Sequence, residues 1–122
     1  MIDMKPYIAN ILRDLIDNEV IKRFSTDYPK KMAELPTIIY RTSSKAQEVD
    51  ALKNESQTFW AIYFEVFCDS STTEVVNELT DRMTGLGFKR TNTQDQNLGV
   101  AKHSLLTFQA VVDNDLKQVY LK

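Results

Sequence analysis

Residues 58–68, TFWAIYFEVFC, gather five aromatic side chains between Phe59 and Phe67, together with the only Trp and the only Cys of the chain. A strand sends alternate side chains to opposite faces, so this stretch divides into two sets. Trp60, Ile62, Phe64, Val66 and Cys68 are wholly apolar and require a core on their side. Phe59, Ala61, Tyr63, Glu65 and Phe67 are mostly apolar but include a charge. A sheet with a single helical layer shows water a polar second face, and a large apolar second face marks an interface or an added layer. Two readings follow: the odd set meets neighbouring subunits, or other parts of the same chain cover it.

The segments around this strand define its setting. Ile8, Ile11, Leu12, Leu15 and Ile16 recur every three or four positions, with Arg13, Asp14 and Asp17 opposite, which predicts a helix over about 4–18. Asp3 is placed to cap it, and Pro6 is tolerated in a first turn. VIKRFSTDY (20–28) alternates loosely and reads as a short edge strand or as a helical extension. Pro29 and Pro36 bracket a loop, and TIIYRTSS after Pro36 is a β-branched strand. Residues 45–57, KAQEVDALKNESQ, are polar and weakly patterned, either a long hairpin connection or frayed strand ends around a loop.

Beyond the aromatic strand, Ser71 and Glu74 have the spacing of a capping box. Val75, Val76, Leu79 and Met83 then form the stripe of a second helix, and Gly85 and Gly87 offer the positive-φ positions that end one. FKRTNT reads as a strand, QDQNLG as a turn, HSLLTFQAVV as a strong strand and Asp113-Asn114-Asp115 as a turn. KQVYLK is a final strand running to Lys122. The strand at 103–112 repeats the two-sided character, with Leu106, Phe108, Ala110 and Val112 against Leu105, Thr107, Gln109 and Val111. The predicted order is α-β-β-β-α-β-β-β: one α+β domain over 1–122, a mainly antiparallel sheet with two helices packed on one face. A chain of 122 residues suits a single core.

Composition removes several functions. With 15 Lys and Arg against 17 Asp and Glu, the formal charge is −2, not the basic surplus that phosphate neutralisation requires. The odd aromatic row resembles a stacking platform, but it lacks interleaved Arg or Lys, and Glu65 repels phosphates. No C-x-x-C, H-E-x-x-H or calcium-loop spacing occurs, so no metal or other cofactor is expected. Gly85-Leu86-Gly87 lacks the third glycine of a dinucleotide loop. A lone Cys gives no internal disulfide, and residues 1–20 contain no signal-peptide core, so synthesis and folding in a cytoplasm are expected, without a membrane. One catalytic alternative stays open: a small enzyme or ligand-binding domain using Cys68 beside the capped helix, with His103 as its base.

A helix leading to VIKRFSTDYPKKMAELPTIIYR, a long hairpin into TFWAIYFEVFCDS, a capped helix ending in GLGF and a close on HSLLTFQAVVDNDLKQVYLK form a recognisable layout. It resembles the tail completion, or tail terminator, proteins of long-tailed bacteriophages and related prophages. The entry strand LPTIIYR, the Y-x-E-V-x-C-D strand and the late LTFQAVVD strand carry the likeness, which covers nearly the whole chain. The resemblance implies a non-catalytic α+β subunit of the virion, assembled in the host cytoplasm as a ring, typically a homohexamer, at the head-proximal end of the tail tube. Its expected partners are itself, the major tail tube protein and the head-completion or stopper connector, with DNA passing through and no specific nucleic-acid binding. A neighbouring connector role, such as the stopper itself, is the alternative within this class. The expected subunit interface is Phe59, Tyr63, Glu65 and Phe67. The expected lumen- or tube-facing loop carries Lys45, Glu48, Asp50, Lys53 and Glu55.

Overall fold

The computed structural model describes residues 3–26, 35–49, 55–97, 102–114 and 118–121. Helix α1 spans Lys5–Asp17 and helix α2 Thr73–Leu86. The strands are β1 (Arg23–Ser25), β2 (Thr37–Val49), β3 (Glu55–Cys68), β4 (Lys89–Asn97), β5 (Lys102–Asp113) and β6 (Gln118–Leu121). The fold is α+β, and the sheet is mixed: β1 lies parallel to β2, and the remaining pairs are antiparallel. Strand order is β1-β2-β3-β5-β4. β4 runs along Lys102–Gln109 of β5, and β6 pairs with its continuation, Ala110–Asp113.

The apolar stripes explain the layering. Ile8, Leu12 and Leu15 of α1 and Val75, Val76, Leu79 and Met83 of α2 are buried against one face of the sheet. That face presents Ile38, Trp60, Ile62, Phe64, Val66, Cys68, Leu106, Phe108, Ala110 and Val112. The even set of the aromatic strand is therefore core, as its pattern predicts. An aromatic row crosses four strands there: Phe24 to Tyr40 at 6.2 Å, Tyr40 to Phe64 at 6.4 Å, and Phe64 edge-on to Phe108 at 5.7 Å between centroids. Rings at such spacings add to the burial that dominates folding.

The structure decides one open local reading and changes two expectations. Of the two readings of residues 45–57, strand ends prevail over a connection along their whole length, because β2 runs to Val49 and β3 starts at Glu55, with pairing from Thr37↔Phe67 to Val49↔Glu55. QDQNLG is not a turn at its start, since β4 continues through Gln94 to Asn97. In both places the sequence is mostly polar and the strand is held by its backbone ladder, so the alternation that betrays a half-buried strand is missing. Gly85 does not end α2: it is helical, and Gly87 at φ 108° is the left-handed terminator. The start of α2 also differs from a capping box. Ser71 Oγ accepts the Thr73 N–H at 3.2 Å, Thr72 occupies the cap position, and Glu74 sits in the first turn. Asp3 Oδ1 accepts the Lys5 N–H at 3.0 Å at the start of α1.

Candidate assembly surface

The face of the sheet turned away from the helices is built by register. Pairing sets Thr37, Ile39, Arg41, Ser43 and Lys45 of β2 beside Phe67, Glu65, Tyr63, Ala61 and Phe59 of β3. β5 adds His103, Leu105, Thr107, Gln109 and Val111, and β4 adds Lys89, Asn92, Gln94 and Gln96. Arg23 of β1 joins through its pairing with Thr37.

The four expected interface residues have different exposures. Tyr63 is 38% exposed and Phe59 is half-buried. Phe67 is 4% exposed and lies flat on the His103 ring, with centroids 4.3 Å apart and an interplanar angle of 7°. It supports the surface from beneath. Glu65 is half-buried, its Oε1 3.5 Å from His103 Nε2, an ion-pair distance longer than a hydrogen bond. Gln96 Oε1 lies 3.3 Å from His103 Nδ1 on the other side of the ring. Part of this outer face is already closed within the chain, because Ile39, Ala61 and Val111 are buried there too.

Cations reach the aromatic row from β2. The Arg41 guanidinium carbon lies 5.7 Å from the Tyr63 ring centre, and Lys45 Nζ lies 5.3 Å from that of Phe59. Both distances are within cation–π range. The absence of interleaved Arg or Lys thus holds along β3 alone; the antiparallel register supplies them from the next strand. They occupy positions over the rings that a stacked base would take. Of the expected lumen loop, Lys45, Glu48 and Glu55 are strand residues, and Asp50 and Lys53 lie outside the described residues.

Cys68 and His103 are not brought together. Cys68 pairs with Lys102 and faces the helices, whereas His103 pairs with Phe67 and faces outward. Burial, and then the charges of Asp69 and Glu74, push the Cys68 thiol up to about 11, away from nucleophilic reactivity at neutral pH. Near the start of α2, Thr72 Oγ1 and Ser104 Oγ lie 2.7 Å apart, and Ser104 donates to Asp95. These bonds tie β4 and β5 to the helix. Asn114 Nδ2 donates to Thr58 Oγ1 at 2.9 Å, fastening the end of β5 to β3. Among the described residues no three His, Cys, Asp or Glu side chains gather as metal ligands, and no helix is long and apolar enough to cross a membrane.

The helical layer carries its own surface. A groove of 380 Å³ between α1 and α2 is lined by Tyr7, Ile11 and Leu86, with Asp14 and Arg82 among its polar residues. Arg82 bridges the helices, 2.8 Å from Asp14 and 2.6 Å from Glu78. The hydrogen bond to Glu78 does most to raise the Arg82 pKa above its ordinary value; burial opposes it and Asp14 adds to it. In comparisons with known proteins, the chain matches no protein-family model and no curated protein.

Proposed function

We propose that the chain is a structural subunit of a phage tail terminator, assembling as a homo-oligomeric ring at the head-proximal end of the tail tube. One observation carries the reading: the outer face of the sheet keeps Tyr63 exposed and Phe59 half-open in a row with Arg41 and Lys45. An aromatic and charged sheet face of this kind is suited to a protein neighbour, since interfaces are enriched in Tyr, Phe and Arg. Rings close through contacts between different patches on each subunit, which a domain with two unlike faces supplies. The layout of LPTIIYR, Y-x-E-V-x-C-D and LTFQAVVD supports the same family.

In this role the ring stops tube polymerisation and presents a docking surface to the head connector. The partners are further copies, the major tail tube protein and the stopper. DNA passes through the channel without specific binding, and no catalysis or cofactor is involved. The test is light scattering coupled to size exclusion, with negative-stain imaging, alone and with the tube protein. Rings, and shorter tubes when the chain is added below the tube protein's concentration, are expected. A strict monomer that leaves tube length unchanged overturns the reading. Rings that bind the connector but leave tube length unchanged move the role to the stopper.

A further inference from the structure

The exposed charges are spread unevenly over the two faces of the domain. On the outer sheet face Arg23, Arg41, Lys45 and Lys89 are exposed, whereas the described carboxylates there, Glu65 and Asp113, are half-buried. The opposite layer is acidic. Residues 3–19 and 73–86 hold seven carboxylates against three cations, and one of those cations, Arg82, is shared between Asp14 and Glu78. Exposed Arg90, bonded to Thr80, and exposed Lys102 add two cations at the sheet margin on this side, along with exposed Asp69 and Asp95. Glu74, Glu78 and Asp81 stand four and three residues apart, a single stripe along α2. Asp17, Glu74 and Asp81 are exposed. The only large hydrophobic side chains exposed among the described residues are Tyr7 and Tyr63, one in each layer. Tyr7 is 49% exposed and borders the groove between the helices.

We infer that the cationic sheet face of one copy docks on the acidic helical layer of the next, in a repeating head-to-tail contact. The inference rests on the ring reading and deepens it by naming the two surfaces that meet. Opposite charge on opposite faces favours this order and penalises sheet against sheet or helices against helices. Because the two patches differ, the contact is heterologous and propagates into a ring when its rotation closes. Tyr63 lies beside the Arg41 cation and Tyr7 lines the groove with Asp14 and Arg82, so each face offers an apolar, hydrogen-bonding ring next to charge, as interface residues do. An acidic layer of the same chain is the occupant that the charges favour. A single-stranded nucleic acid is disfavoured because Arg41 and Lys45 already lie over the Tyr63 and Phe59 rings.

Sedimentation of the full chain tests this with charge-reversed pairs. Arg41→Glu with Lys45→Glu is expected to weaken self-association about tenfold, and Glu74→Lys with Asp81→Lys by a similar factor. Mixing the two variants, or joining all four changes in one chain, should restore assembly to within about threefold of the original, because each reversed patch then meets a complementary one. Added salt should weaken the original association as it screens the exposed charges. Arg23→Glu with Lys89→Glu, which leaves the ring-capping cations in place, repeats the test should the first pair fail to fold. Rings that persist unchanged in the reversed variants overturn this contact while sparing the ring reading; a monomer at every concentration overturns both. Restoration that fails on mixing and in the combined chain, or single-stranded oligonucleotide binding lost with Arg41 and Lys45 while no self-association is seen, also overturns it.

Discussion

Both helices end in the same way, although only one of them carries glycine there. In α2 the Gly87 N–H reaches Thr84 O at 3.0 Å and the Phe88 N–H reaches Met83 O at 2.9 Å. In α1 the Glu19 N–H reaches Ile16 O at 3.0 Å and the Val20 N–H reaches Leu15 O at 2.9 Å, with Glu19 at φ 60°. This is the Schellman pattern, whose left-handed residue disfavours a side chain with a Cβ. Glu19→Gly is therefore expected to stabilise the domain by about 0.5–1 kcal/mol, read from urea unfolding. Cys68 supplies a second prediction. Its folded thiol titrates at about 11, above its ordinary value of 9.0, so the neutral thiol is favoured in the folded state. That contribution is fully present below pH 9 and is lost as the pH rises toward 11. Across that window the original chain should lose stability relative to Cys68→Ala, and a flat difference would remove the effect.

Strand β3 shows how one element serves two environments. Phe64 is wholly within the core, Phe67 is buried on the other face against His103, and Phe59 is half-open beneath Lys45. Phe64→Ala should cost about 3–5 kcal/mol, a large share of what holds a small domain together. Phe67→Ala should cost about 3 kcal/mol, since it also strips one face from the His103 ring. Phe59→Glu should leave the monomer folded while impairing assembly. Thermal melts beside light scattering distinguish these outcomes; equal unfolding by Phe59→Glu and Phe64→Ala would mean that Phe59 serves the fold alone. The even face of β3 was legible because its alternation is unbroken. The burial of Phe67 was not, since it depends on which strand lies alongside, and β5 arrives only after α2 and β4.

At the scale of the whole molecule, two layers of unlike charge predict that stability and assembly are coupled. Association that selects the folded chain raises its melting temperature by mass action. Calorimetry at two protein concentrations about tenfold apart should show a higher Tm at the higher one, and a concentration-independent Tm would speak against self-association. Sequence alone determined the apolar faces: the stripes of α1 and α2 and the inward sides of β3 and β5 follow from spacing, because burial must match the period of the backbone. It left the polar ends of β2, β3 and β4 unmarked, because a mostly polar stretch carries no apolar period to detect. Tertiary pairing extended those strands through their backbone hydrogen bonds. The same pairing acted on the aromatic strand: register, a property of two strands together, set Arg41 over Tyr63 and Lys45 over Phe59 and left Cys68 and His103 on opposite faces.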